Sequence, residues 1–264
     1  MKRVLITGAY GGMGYATAKL LAEKGFTVFA LDKNITAPEK NIIPVETDLT
    51  DAESVRLAFN TIRSQTDELF AIIHFAGIYR LDSLAEMSED RFTGIFDVNL
   101  FGAYRINKTF LPLLRQGGRI IITTSELAPI TPLPFTGIYA LTKSALDKYA
   151  CSLRMELQLL GISVSVLRPG AVRTGLLPVS AKELDDFCEN TKTYAYNAAK
   201  FKKIVNSVES KSVSPEKISG IVFRALTARR PKYVYNVNRN FSLRFLNVLP
   251  VKWQTKIIGK ILKK

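Results

Sequence analysis

The chain has 264 residues, a net charge of +14, two cysteines and a composition nearly half hydrophobic. Its length and apolar content suit one large α/β domain, and two cysteines are too few for a disulfide framework, which points to a reducing, cytoplasmic compartment. The first residues run straight into Arg3-Val4-Leu5-Ile6-Thr7 with no secretory signal, and the chain lacks the run of roughly eighteen apolar residues that a membrane span needs.

Apolar strand-like stretches alternate with helical patterns. Residues 3–7 read as a first strand and 12–25 as a helix that stops at Gly25. Phe26 to Leu31 is a second strand, followed by Asp32, and Ile42 to Val45 a short third. A helix is expected over 51–65, a fourth strand over Leu69 to Ile73, and a long helix over 90–115 broken near Pro112. Gly118 to Thr123 is a fifth strand, 137–160 a helix ending at Gly161, and Ile162 to Leu167 a sixth strand. Residues 175–213 interrupt the rhythm with Phe187, Tyr194, Tyr196 and Phe201 among polar residues, and read as a helical insertion over a site. Ser214 and Pro215 then have the N-cap and first-turn character of a new helix, and Tyr233 to Tyr235 offers a seventh strand. Continuous apolar strands alternating with helices predict parallel βαβ units covered on both sides.

Between the first strand and the first helix lies Thr7-Gly8-Ala9-Tyr10-Gly11-Gly12-Met13-Gly14. Glycines there permit a tight turn and let the backbone approach a pyrophosphate, while the helix behind offers free N–H groups and a positive dipole end. Such a loop also serves as an ordinary strand–helix turn, but its place after strand one favours a nucleotide site. Asp32, after strand two, is suited to hydrogen-bond an adenosine ribose and to repel a 2′-phosphate. Lys33 beside it would accept that phosphate, yet no Lys or Arg lies inside the loop to assist. Charge therefore favours NAD over NADP.

Tyr139-Ala140-Leu141-Thr142-Lys143 begins a predicted helix, and a spacing of four brings the phenol and the ammonium to one face. A cation beside a phenol favours phenolate and brings proton exchange toward neutral pH. Taken with the glycine loop and with Ser125 at the end of strand five, the chain resembles the short-chain dehydrogenase/reductase family. The resemblance runs from Lys2 to about Leu177 and more loosely to Val237. Thr7, Gly8, Gly12 and Gly14 match the cofactor loop, with Met13 inside it. Asp48, followed by Leu49, matches the aspartate that contacts adenine. Asn99, in Val98-Asn99-Leu100-Phe101-Gly102, and Ser125, Tyr139 and Lys143 match the catalytic tetrad. Arg168-Pro169-Gly170-Ala171-Val172-Arg173-Thr174 matches the segment beside the nicotinamide, where Pro169, Gly170, Val172 and Thr174 are expected to bind it.

The resemblance implies a Rossmann-type, doubly wound parallel sheet of about seven strands with helices on both faces. It implies a hydride transfer in which Tyr139 gives or takes the proton. Lys143 lowers the tyrosine pKa and holds the nicotinamide ribose, Ser125 orients the substrate oxygen, and Asn99 holds a water that relays protons to Lys143. It also implies a homodimer or homotetramer paired through the helices of Asn99 and Tyr139. Where the family has Asn-Asn-Ala-Gly, this chain has His74-Phe75-Ala76-Gly77. Ala76 and Gly77 keep the close approach to the cofactor, and His74, the single histidine, is expected to be structural. Ser125 and Tyr139 are one residue further apart than usual. No metal site is expected from one histidine and two distant cysteines.

The charge is concentrated at the end of the chain. After Glu216 there are twelve Lys or Arg and no acid, so residues 217–264 carry +12 and the preceding ones only +2. The expected organisation is a catalytic domain over 1–240 and a basic amphipathic tail over 241–264. Pro250 opens a helix over Val251 to Leu262 with Trp253, Ile257, Ile258, Ile261 and Leu262 along one stripe, flanked by Lys252, Lys256, Lys260, Lys263 and Lys264. A basic helix with an apolar face suits an anionic membrane surface, where each cation adds about 1 kcal/mol; it equally suits packing on the domain. Nucleic acid is not expected, because the aromatics do not alternate with the cations as in a stacking platform. The leading reading is an oxidoreductase acting on an apolar secondary alcohol or ketone. The alternatives are an NADPH-dependent 3-oxoacyl thioester reductase and a nucleotide-sensing protein without turnover.

Overall fold

The computed structural model describes residues 2–209 and 211–263. Its strands are β1 (Arg3–Thr7), β2 (Thr27–Asp32), β3 (Ile42–Glu46), β4 (Leu69–His74), β5 (Leu114–Thr123), β6 (Ser163–Pro169) and β7 (Val234–Val237). They form one seven-stranded sheet in the order β3-β2-β1-β4-β5-β6-β7, with every pairing parallel. The order reverses between β1 and β4, and such a switch point opens a crevice at the carboxyl ends of the strands.

Alternate residues of each strand face opposite sides, and both sides are covered. Leu5, Ile72, Ile120 and Ile122 pack with α2 (Ala52–Arg63), α4 (Gly102–Phe110) and α5 (Gly137–Leu157). Val4, Ile6, Ile73 and Ile121 pack with α1 (Gly12–Glu23) and α8 (Pro215–Thr227). This double cover is why the strands read as unbroken apolar runs. A third, separate cluster joins Leu81 and Phe135 to α6 (Leu176–Asn190), α7 (Ala195–Glu209) and the end of α10 (Val251–Leu262).

Several expected elements differ in detail. The long helix over 90–115 is α3 (Glu89–Phe96), a π-helical turn over Asp97–Phe101, α4, and a 3-10 turn over Leu111–Leu113. Pro112 lacks the amide that an α-helix would need there, and β5 begins at Leu114 instead of Gly118. The insertion over 175–213 is two helices, with Ser210 outside the described residues. Ser214 stands at the N-cap of α8, but its hydroxyl meets the Glu216 carboxylate and caps no backbone amide. A short helix, α9 (Phe241–Val248), precedes the expected α10; its N-cap Asn240 accepts from Leu243 N through its side chain. Lys264 lies outside the described residues. Among the described residues no helix is long and apolar enough to cross a membrane, and no group of three His, Cys, Asp or Glu side chains is placed to hold a metal ion.

Candidate active site

A cleft of about 650 Å³ lies over the carboxyl ends of β1, β2 and β4. Gly8 turns the chain out of β1 at φ +65° and passes so close to the next strand that a Cβ there would sit 2.6 Å from Ala76 N. A Cβ on Gly14 would fall 2.0 Å from the Gly8 carbonyl oxygen. The loop therefore presents bare backbone, and α1 behind it has no acidic residue in its first turn to neutralise its dipole. Gly8, Gly12, Met13 and Gly14 line this cleft, as do Asp32, Lys33, Asp48 and Leu49 from the far strands and Ala76 and Gly77 after β4. Thr7 lies beneath it, buried, with its hydroxyl 3.4 Å from Ala76 N.

The acidic and basic groups of the cleft are paired. Asp32 accepts from Tyr10 N at 2.9 Å, so the carboxylate also pins the glycine loop. Lys33 donates to Asp48 at 2.8 Å. That bond, with those from Thr50, holds the Asp48 carboxyl down to about 2. A backbone cradle beside a helix N-terminus, with a carboxylate at the end of β2, fits the diphosphate and ribose of a dinucleotide.

A second cavity of about 240 Å³ adjoins the first. Met13, Gly77 and Thr174 line both, and a Cβ on Gly12 would strike Thr174 at 2.8 Å. Ser125, Tyr139 and Lys143 form its polar end with Pro169, Gly170 and Val172 beside them. Ile78, Leu127, Leu133, Phe201 and Leu243 make much of the rest apolar. Tyr139 is hydrogen-bonded with Ser125, and its ring lies 4.8 Å from that of Tyr79. Burial pushes the phenol up to about 12, and Ser125 pulls it partly back. Burial also drives Lys143 down to about 8; its Nζ donates to Thr123 O at 3.2 Å and lies 5.7 Å from the Tyr139 ring centroid. The phenol, expected to be lowered by the neighbouring lysine, is instead raised by desolvation, and it is the Ser125 hydrogen bond that opposes this.

The extra residue between Ser125 and Tyr139 does not separate them. The loop turns at Phe135, held at φ 64° with its ring against Phe187, Tyr194 and Phe201. Left-handed backbone at a non-glycine residue is tolerated where packing over-determines it. Asn99 lies in the π-helical turn, a distortion often found at functional sites. Its Oδ1 accepts from Ile78 N at 2.8 Å, and its Nδ2 donates to Ile78 O at 3.0 Å and to Thr142 Oγ1 at 3.1 Å. Its side-chain amide therefore clamps the segment after β4 to the helix of Tyr139. His74 lines neither cavity; its Nε2–H donates to Asn107 Oδ1 at 2.9 Å, and burial lowers its pKa to about 4.

Three positioning groups carried no sequence signal. Asp147, on α5, takes both forks of Arg168 at 2.9 and 2.7 Å and so ties the tyrosine helix to β6. Glu126 follows Ser125, lines the second cavity and accepts from Asn240 N at 2.6 Å, with burial raising its pKa. Glu183, on α6, pairs with Arg80 and with Arg91 and latches the helical cover to the segment after β4. Each pair is distant in sequence, so only the fold discloses it.

The fold and this pair of cavities define a nucleotide-dependent enzyme of the doubly wound class, and comparison with known proteins makes the class specific. The family described as short chain dehydrogenase matches residues 2–185. The 3-amino-tetrahydro-pyrrolizinone reductase of Xenorhabdus hominickii is 32% identical over 256 residues, covering 91% of this chain and 89% of that protein. Estradiol 17-beta-dehydrogenase 2 of Mus musculus is 28% identical over 260 residues, covering 90% of this chain and 68% of that protein. A short-chain dehydrogenase/reductase of Burkholderia phymatum, solved in complex with NAD, superposes with a TM-score of 0.75 at 22% identity over 88% of each chain. The chain belongs to the short-chain dehydrogenase/reductase family and is an NAD(P)-dependent oxidoreductase.

Proposed function

We propose that the protein interconverts a ketone and a secondary alcohol on an apolar molecule, with Tyr139 as the group that moves the proton. The observation that carries this reading is the hydrogen-bonded pair of half-buried Tyr139 and buried Ser125 at the polar end of an otherwise largely apolar cavity. The relative named for a steroid, estradiol, agrees with an apolar substrate body.

Gly8, Gly12, Met13 and Gly14 would hold the cofactor diphosphate, with Thr7 fixing the floor and Asp32 at the adenosine ribose. Asp48 and Leu49 would lie by the adenine, and Ala76 and Gly77 allow close approach. Tyr139 and Lys143 would face the nicotinamide ribose, and Pro169, Gly170, Val172 and Thr174 the nicotinamide. When bound, the cofactor supplies the hydride chemistry. NAD is the favoured form, because Asp32 would repel a 2′-phosphate and Lys33 is already paired with Asp48.

In the reducing direction, Ser125 donates a hydrogen bond to the substrate oxygen and aligns it with the Tyr139 O–H. Tyr139 then gives its proton to that oxygen as negative charge develops there. Lys143, still mostly protonated at neutral pH with a pKa of about 8, stabilises the phenolate left behind. Asn99 keeps Ile78 and Thr142 in place and so sets the entry of the proton relay. A neutral phenol is the form that donates its proton in the reducing direction. The exposed Phe101, Tyr104, Leu141 and Met155, on or next to α4 and α5, suit pairing of two copies. In the same reading the acid-free tail rests on an anionic membrane surface.

The test is a steady-state comparison of NADH and NADPH on methyl ketones of rising chain length and on steroid ketones. The expected result is a kcat/KM that climbs with apolar size and is higher with NADH. A flat series, or activity confined to small hydrophilic ketones, overturns the substrate reading.

A further inference from the structure

The apolar residues of the tail divide between two faces. On α10, Ile258 and Leu262 pack into the cluster of Phe135, Phe187 and Phe201. Asn197 Nδ2 donates to Leu262 O at 2.8 Å and Lys200 Nζ to Lys263 O at 2.6 Å, so the helix is fixed on α7. The stripe expected from the sequence is therefore half buried in the protein. The residues left outside are Phe241, Phe245 and Val248 on α9, Val251 and Trp253 at the start of α10, each at least 59% exposed, and Ile261 near the far end of α10, at 50%. Phe241, Phe245 and Val248 fall at i, i+4 and i+7 and share one face. Only Leu249 and Pro250 separate Val248 from Val251.

Charge selects what covers this face. Arg244, Lys252, Lys256 and Lys260 accompany it, Arg239 lying instead near the Glu126 carboxylate, and no acid follows Glu216. A second copy meeting the face through the same residues would set these cations against one another. An anionic lipid surface neutralises them, and its headgroup–acyl boundary accepts phenylalanine and tryptophan. Lys256 Nζ lies 5.7 Å from the Trp253 ring centroid, a placement from which a long side chain reaches headgroups while the ring enters the boundary.

The inner side of α9 belongs to the active site. Leu243 lines the substrate cavity, Asn240 N donates to Glu126 next to Ser125, and Asn247 Oδ1 accepts from Thr131 N at 2.9 Å. One helix thus carries exposed apolar rings outside and a wall of the cavity inside. We propose that α9 and the first turn of α10 dock on an anionic lipid membrane and set the substrate cavity at the bilayer surface, from which an apolar substrate enters. Docking stands on the tail alone; what enters rests on the substrate reading above.

The test uses the full chain with phosphatidylcholine vesicles, with and without phosphatidylserine. Trp253 is the single tryptophan and reports its own insertion. Co-sedimentation with the serine-containing vesicles, a blue shift of Trp253 emission and weakening by salt are expected. The double variant Phe241→Glu/Phe245→Glu changes exposed residues only, and its fold is checked by circular dichroism and Tm. It is expected to lose about tenfold or more in vesicle affinity. Docking is overturned if the wild type stays in the supernatant, or if the double variant binds as well as it does. Self-association that the double variant abolishes, without lipid binding, assigns the face to a second copy and also overturns it. None of these readouts needs turnover, so they are separate from failure of the enzymatic reading. For entry from the bilayer, a long-chain ketone offered in vesicles should be turned over more slowly by the double variant, and a short soluble ketone equally by both. Equal rates on the vesicle-borne ketone overturn that part.

Discussion

The wall and the cover of the second cavity are built differently. On the wall, Asn99, Ser125 and Lys143 are all at most 6% exposed; Asn99 and Lys143 are tied to backbone groups of neighbouring segments, and Ser125 to Leu127 N of its own loop. The cover is formed by α6, α7, α9 and α10, of which α6, α7 and α10 pack around a cluster that also takes in Leu81 and Phe135. Ion pairs of Glu183 and a carboxylate-to-backbone bond of Glu126 fasten it to the wall. Groups that must meet to within a few tenths of an ångström sit on strand ends and a long helix, and groups that choose what arrives sit on a separately packed layer. Changes on the wall should therefore act on kcat and changes on the cover on KM.

Among the groups that support Tyr139, the largest effect is expected at Lys143. Lys143→Met keeps much of the volume but removes the ammonium and its bond to Thr123 O. Turnover should fall by about 10³-fold in steady-state assays, within the range for loss of proton-transfer assistance. Asn99→Ala should lower kcat by about 10²-fold with a smaller change in KM, since it frees the segment at Ile78. A change mainly in KM would break the division between wall and cover.

His74 gives the core of the wall a pH signature. Its folded pKa of about 4 lies below the ordinary 6.5, so the folded state resists protonation. Its contribution is fully present above the unfolded value and is lost as pH falls through the interval down to about 4. That loss amounts to about 3 kcal/mol, readable as a falling urea midpoint. His74→Gln should flatten the dependence, and an unchanged slope would remove His74 as its cause. The smallest effect is expected on the cover. Glu183→Gln keeps the shape but removes the charge facing Arg80 and Arg91, and KM should rise about threefold with kcat unchanged.

The same division governs what could be read from the sequence. The alternation of strands and helices, the glycine loop, and Asn99, Ser125, Tyr139 and Lys143 were legible because each rests on a local pattern. Strand boundaries at β5 and the π-helical turn at Asn99 were not, because they depend on how Pro112 and Ile78 meet their neighbours. Glu126, Asp147 and Glu183 escaped for a related reason, since their partners lie 114, 21 and 103 residues away. The tail shows the limit of periodicity most clearly. Its stripe was visible, but which edge of it faces α7 is a tertiary fact, and α9 offers only two turns of apolar spacing before Pro250.

The central claim is that Tyr139 moves the proton, while the cofactor is held mainly by the glycine loop and the groups at the ends of β2 and β4. The direct measurement pairs cofactor binding, by fluorescence titration of NADH, with turnover of the best ketone, for wild type and Tyr139→Phe. The account predicts near-unchanged NADH affinity and a loss of turnover of about 10³-fold or more. Turnover that survives in the phenylalanine variant, with NADH bound as tightly as before, would contradict it.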